Sequence, residues 1–235
     1  MRIISVAGKK DSGKTSLSVR IIEELTARGY KVGSIKHSHH QMEMDHEGTD
    51  TYKHTEAGSQ FTVGIGTRTY FNINEAIPLE RLLFLIKLID EPDFVVIEGF
   101  KNYNYPKFST SPELNDEYTI EVVDAKNLSD DEISRLVDKA EIFGYDILPT
   151  LYTKECGYFD GESVAKGIIN GEVEYDESNQ AEVSLSVDGT VIGVNDFVDK
   201  FLKNTILGML KSLKVKEYGV EDFKNIQISI SKKEK

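Results

Sequence analysis

Eight consecutive residues, Gly8-Lys9-Lys10-Asp11-Ser12-Gly13-Lys14-Thr15, combine two glycines, three lysines and a terminal hydroxyl at the spacing of a polyphosphate cradle. A triphosphate packs several negative charges into a small volume. A glycine turn leading into a helix meets it with converging backbone N–H groups and the positive end of the helix dipole. In that role Gly8 and Gly13 permit the tight backbone, Lys14 reaches the β and γ phosphates, and the Thr15 hydroxyl ligates Mg²⁺. Lys9 and Lys10 add charge inside the loop; either they serve a nucleotide, here or on a partner, or they face solvent.

Mg²⁺ favours octahedral oxygen coordination with one or two carboxylates, so an acidic strand end is expected beside the loop. Glu98 closes the apolar run Asp93-Phe94-Val95-Val96-Ile97 and is followed by Gly99, which suits close approach to a ligand; Asp93, at the other end, reads as structural. A second constellation, Lys36-His37-Ser38-His39-His40 with Asp45, Asp50 and His54, gathers four of the five histidines near one strand end, where open α/β sheets bind ligands. Three roles stay open for it: phosphate or pterin recognition with Asp45 positioning Mg²⁺ or water, transition-metal binding through the His-x-His pair, and a merely solvated polar loop.

The elements that must hold these groups follow from periodicity. Residues 2–7 form a short apolar strand, and Leu17, Ile21, Ile22 and Leu25 recur at helical spacing before Gly29. Residues 31–35 make a second strand, parallel to the first because a helix lies between them. Residues 38–58 read as a long polar irregular stretch, 60–65 and 69–72 as a strand pair around Gly66-Thr67-Arg68, and Leu79 to Ile89 as an amphipathic helix. A strand at 118–123 precedes a helix opened by the capping box Ser129-Asp130-Asp131-Glu132, and Gly144 and Pro149 suggest a boundary. Beyond it lie a Gly-rich stretch at 157–171, an alternating Val183, Leu185, Val187 strand turned at Asp188-Gly189, a helix at about 196–213 and a strand at 226–230. The order is that of an α/β domain with a mainly parallel sheet, residues 1–148, followed by a small α+β domain, residues 149–235.

The bulk figures narrow the class. At 235 residues, 39% hydrophobic and 29% charged, the chain can bury a sizeable core. A net charge of −12 argues against a general affinity for nucleic acid or anionic membrane, so cationic work must be local: at the loop, at Lys36 and at Lys101 with Lys107. No run approaches the roughly 18 apolar residues that span a bilayer, and the N-terminus carries no signal-peptide pattern. With the single Cys156 unable to form an internal disulfide, a cytoplasmic location is expected.

Taken together, Gly8 to Thr15, Lys36-His37-Ser38-His39-His40, Asp45, Gly48, Asp50, Ala57-Gly58 and Glu98-Gly99-Phe100-Lys101 resemble the molybdopterin-guanine dinucleotide biosynthesis protein B family, over roughly residues 1–148. The resemblance implies a P-loop NTPase three-layer fold and a homodimeric GTP-binding adapter. Such an adapter assists the MobA-type guanylyltransferase that joins GMP to molybdopterin, with at most slow GTP hydrolysis. Carried over residue by residue, Gly8, Lys9, Lys10, Asp11, Ser12, Gly13, Lys14, Thr15 and Ser16 contact phosphates, and Thr15 with Glu98 holds Mg²⁺. Lys36, His37, His39, His40, Asp50 and Lys101 face nucleotide or molybdopterin, and Lys14, Glu98 and Asp45 are the groups placed for any hydrolysis. Ser16 stands where the family usually has a second Thr.

The usual [Asn/Thr]-Lys-x-Asp base reader is missing, Thr153-Lys154-Glu155-Cys156 being a near miss, so guanine preference comes from the resemblance alone. The tail resembles an extension of archaeal-type members that carry several cysteines; with only Cys156-Gly157 here, one thiolate cannot hold a four-ligand iron–sulfur cluster and none is expected. An ordinary buried small residue is the other role open to Cys156. Two other functions remain chemically open: a small-molecule kinase with Glu98 or Asp45 as base, and a metal-insertion GTPase using His37, His39 and His40.

Overall fold

The computed structural model describes residues 1–38, 45–151, 160–176, 181–222 and 225–231. Its elements run β1 (Arg2–Ala7), α1 (Lys14–Ala27), β2 (Val32–Lys36), α2 (Asp50–Glu56), β3 (Phe61–Ile65), β4 (Thr69–Ile73), α3 (Leu79–Asp90), β5 (Phe94–Glu98), β6 (Lys107–Ser109), β7 (Thr119–Val122), α4 (Asp130–Phe143), α5 (Gly161–Ile169), β8 (Leu185–Val187), β9 (Thr190–Ile192) and α6 (Asp196–Ser212).

Five strands form one sheet in the order β2-β5-β1-β6-β7, every neighbouring pair parallel. Parallel strands covered on both faces carry continuous rather than alternating apolar runs, and β1 and β5 do so: Ile3, Ile4, Val6 and Ala7, and Phe94 to Ile97, are all buried. On one face α1 and α4 cover the sheet through Leu17, Ile21, Leu25, Ile133, Leu136, Val137 and Ala140. On the other, Leu79 and Leu83 of α3 join Val164, Ala165 and Ile168 of α5 and Val191 of β9. The fold is therefore a three-layer α/β structure. That second core runs straight across residue 148, because Tyr145, Ile147 and Leu151 sit in it beside Ile3 and Val95.

Two of the expected starts and turns form through the expected chemistry. Ser129 and Glu132 make a reciprocal capping box at α4, each satisfying a backbone N–H of the other. The β8–β9 hairpin turns at Asp188 and Gly189, both at positive φ as its tight turn requires. Arg28 then ties α1 to α4, donating to Asp138, Glu141 and Ser134.

The structure also departs from the periodicity. Within 38–58, read as irregular, Asp50–Glu56 is helical: Thr49 caps it by accepting from Tyr52 N–H, but no residue of α2 is buried, so no apolar stripe announced it. The Gly-rich stretch contains α5, whose Asp160 cap accepts from Ser163 N–H. The pair β3–β4 forms as its own two-stranded antiparallel sheet. Strand β6 was not anticipated; it is three residues long and begins with a lysine. Lys107 is buried there because its ammonium lies 2.7 Å from Asp116 and 3.2 Å from the Lys101 carbonyl, so it is no part of a surface cationic patch. Residues 226–230 form no strand: among the described residues they pair with none, and Ile228 and Ile230 are exposed. Among the described residues no helix is long and apolar enough to cross a membrane.

One carboxylate held by two cations makes the fold acid-sensitive. Arg135 and then Lys139 hydrogen-bond Glu121 on β7, holding its carboxyl down at about 2. A depressed carboxyl contributes stability above its unfolded pKa of about 4.3 that is lost as pH falls toward 2. Glu121→Gln is expected to unfold about 1 kcal/mol more easily in urea at pH 7, a figure reduced by solvent around half-exposed Arg135, with the difference from wild type vanishing near pH 2.

Candidate functional site

Sheet order decides what meets at the carboxyl ends of the strands. Strand β5 lies between β1 and β2, and its register sets Glu98 against Val6 on one side and Lys36 on the other. The chain leaves β1 at Ala7, turns through residues 8–13 and enters α1 at Lys14, so the helix N-terminus opens beside Glu98. Thr15 Oγ1 donates to Glu98 Oε1 at 2.7 Å, and Lys36 Nζ donates to the same oxygen at 2.8 Å while lying 3.4 Å from Thr15 Oγ1. A hydroxyl, a carboxylate and an ammonium thus converge, with the Glu98 side chain only 14% exposed.

The turn itself is fixed by close contacts. Gly13 caps α1 at φ 85°, and Asp11 is also at positive φ. A Cβ on Gly13 would come within 2.8 Å of Ala125 Cβ, and one on Gly8 within 1.9 Å of Thr110 Oγ1. Thr110 and Ser111, directly after β6, brace the loop: Thr110 N–H donates to Ala7 O at 2.8 Å, Thr110 Oγ1 and Ser12 Oγ share a hydrogen bond at 2.6 Å, and Lys9 N–H donates to Ser111 Oγ at 2.9 Å. Nothing in the sequence analysis singled these hydroxyls out. Lys14 Nζ donates to the Lys9 carbonyl, and Lys9 Nζ pairs with Glu113. Lys10, Asp11, Ser12, Gly13, Lys14, Thr15, Ser16 and Glu98 line an open cleft of ≈ 500 Å³.

The remaining candidates are placed differently. His37 N–H donates to the Glu98 carbonyl at 2.9 Å, and its ring stacks on Phe100 at 4.1 Å. Gly99 at φ 104° and Phe100 at φ 50° make that stack possible, since a Cβ on Gly99 would approach His37 O to 3.0 Å. Asp45 does not line the cleft; its carboxylate accepts from Thr49 Oγ1 and His46 N–H ahead of α2, contacts that hold its pKa below the usual range, the Thr49 hydroxyl contributing most. Asp50 pairs with Lys53 in the first turn of α2, and the Lys101 side chain is exposed. His39, His40, Cys156 and the Thr153-Lys154-Glu155 near miss lie outside the described residues. Among the described residues no group of three His, Cys, Asp or Glu side chains could hold a metal ion. A second depression of ≈ 540 Å³ runs along α6 beside Phe197 and Phe201; its Asp196 and Lys200 pair with each other at 2.5 Å.

A parallel sheet covered on both faces, with a glycine turn between its central strand and the first helix, defines a protein of the phosphate-loop α/β class. The chain belongs to the MobB family, molybdopterin guanine dinucleotide synthesis protein B, whose family model matches residues 3–127. It is 33% identical over 244 residues to the putative molybdopterin-guanine dinucleotide biosynthesis adapter protein of Methanocaldococcus jannaschii, covering 98% of this chain and 97% of that one, so the segment after residue 148 is shared with that relative. It is 36% identical over 107 residues to the adapter protein of Haemophilus influenzae, covering 45% of this chain and 60% of that one. Among solved structures, MobB of Bacillus subtilis is 33% identical with a TM-score of 0.41, covering 46% of this chain and 67% of that one.

The brace on the loop is open to test. Gly8→Ala forces the new methyl onto Thr110 and is expected to cost about 2 kcal/mol in urea unfolding. Adding Thr110→Ala removes the nearest clash, so the double variant should recover more than about 0.5 kcal/mol relative to the sum of the two single changes. Strict additivity would show that Thr110 does not set the loop.

Proposed function

We propose that the protein is a GTP-binding adapter in molybdopterin guanine dinucleotide biosynthesis. In this role it assists a MobA-type guanylyltransferase that attaches GMP to molybdopterin, and it acts as a homodimer. The observation that carries the nucleotide part is the 2.7 Å contact between Thr15 Oγ1 and Glu98 Oε1 at the mouth of the 8–15 loop. Hydroxyl and carboxylate oxygens are the hard donors Mg²⁺ prefers, and phosphate oxygens and waters would complete its octahedron. Thr15 and Glu98 would hold the ion, which when bound neutralises charge between the β and γ phosphates. The loop N–H groups and Lys14 bind and orient the triphosphate, with Lys36 as a further cation at its edge.

The pathway assignment is supported by the relatives' names, the near-full-length one above all. An adapter suits the site better than a rapid hydrolase. Asp45, expected to position Mg²⁺ or water, lies outside the cleft and is engaged by Thr49 and His46. Preference for guanine rests on family membership, and molybdopterin is the second ligand proposed for the site.

Isothermal titration of the full chain with GTP and ATP, each with Mg²⁺, tests this. GTP should bind at least about tenfold tighter than ATP. Lys14→Ala should weaken binding by about 2 kcal/mol, and Thr15→Ala should abolish the benefit of Mg²⁺. Equal binding of both nucleotides, or rapid turnover that depends on a small acceptor, would overturn the adapter reading in favour of a kinase.

A further inference from the structure

Lys36 stands where a metal-binding pair meets an internal cation. Its place is set by backbone register: Lys36 and Glu98 are direct partners across β2 and β5, each the last residue of its strand. The ammonium lies 2.8 Å from the same Oε1 that accepts from Thr15, and 3.4 Å from the Thr15 hydroxyl. It therefore contacts both groups that would hold Mg²⁺. A divalent ion and an ammonium cannot share one carboxylate oxygen without strong repulsion at separations of about 4 Å. Glu98, with little solvent access, has the Lys36 ammonium as an ion-pair partner at 2.8 Å.

The geometry points to Lys36 as the resident counter-ion of the Thr15–Glu98 pair, a cation that Mg²⁺ must displace and that a triphosphate draws away. This rests on the nucleotide-binding role proposed above. Without nucleotide, Lys36 holds Glu98 and suppresses metal binding. A triphosphate in the 8–15 loop offers the ammonium a more highly charged partner, so Lys36 swings from Glu98 to phosphate oxygens and frees the carboxylate for the metal. Metal and nucleotide then bind with positive coupling, and Lys36 carries it: each ligand raises the affinity for the other by the same factor. The flexible four-carbon stem of lysine suits a cation that changes partners, since it presents a mobile point charge rather than a rigid fork.

The test uses Mn²⁺ as a spectroscopic stand-in for Mg²⁺, with free ion counted by electron paramagnetic resonance. The full chain is titrated with Mn²⁺ alone and then with Mn²⁺ plus a non-hydrolysable GTP analogue. Lys36→Met should bind Mn²⁺ about tenfold tighter than wild type when no nucleotide is present, and the gain in Mn²⁺ affinity on adding the analogue should shrink by about tenfold. Lys36→Arg, which keeps the charge, should keep nucleotide-free Mn²⁺ affinity as low as in wild type. Lys36→Gln should repeat the Lys36→Met result and guards against a folding defect in one variant. Adding Glu98→Gln to Lys36→Met should remove the tighter Mn²⁺ binding. Nucleotide-free Mn²⁺ affinity that stays level or falls in both Lys36→Met and Lys36→Gln would overturn the inference. Failure of wild type to bind the analogue would instead sink the nucleotide role, while the nucleotide-free comparison would still decide the place of Lys36.

Discussion

Parallel pairing of β1, β5 and β2 in one register is the constraint on which the site depends. Because Val6, Glu98 and Lys36 are aligned across three adjacent strands, the chain leaving β1 must turn within a few ångströms of a carboxylate and an ammonium. Strand positions in a packed sheet are set by apolar burial on both faces, and here Ile3, Ile4, Val95 and Val96 are almost inaccessible to water. A slip of one residue would exchange the side chains that pack in the two cores, Ile3 and Val95 in one and Ile4 and Val96 in the other, and would also separate Lys36 from Glu98. The hydrophobic core and the polar cluster therefore enforce the same register, one through many weak contacts and the other through a few strong ones.

Once the register is set, the loop has little freedom. Its glycines are squeezed by Thr110, directly after β6, and Ala125, in the segment after β7, so the chain leaving these two strands shapes the turn without lining the cleft. Precision comes from the sheet and adaptability from the side chains above it. Lys36 is about half exposed and unbranched, Lys14 folds onto the loop's own carbonyl, and both have other places to go when an anion arrives. The segment after residue 148 supports the layer opposite α1 and α4: Val164, Ala165, Ile168 and Val191 bury the same face as α3 and back the sheet from behind.

Features carried by local pattern were legible in the chain alone. Residues 8–15 declare their turn and helix start, Phe94–Glu98 reads as a buried strand ending in an acid, and Ser129 with Glu132 announces α4. What escaped depends on contacts distant in sequence. The Lys36–Glu98 pair spans 62 positions and needs the strand order to be known, and the brace from Thr110 to Ser12 spans 98. Strand β6 was hidden because a buried lysine looks like a surface one until Asp116 is placed beside it. Helix α2 was hidden because it buries nothing. The opposite error occurred at 226–230, where alternating isoleucines have the pattern of a strand but, among the described residues, no strand pairs with them.

The central claim is that strand register builds one site for a triphosphate and its metal from Thr15, Glu98 and the 8–15 loop. A crystal structure of the full chain with Mg²⁺ and a non-hydrolysable GTP analogue tests it most directly. The account predicts β and γ phosphates within hydrogen-bond reach of the loop N–H groups, Mg²⁺ about 2.1 Å from Thr15 Oγ1 with Glu98 in its coordination sphere or one water away, and Lys36 Nζ on phosphate. A nucleotide seated away from residues 8–15, or a metal bound without Thr15 and Glu98, would contradict it.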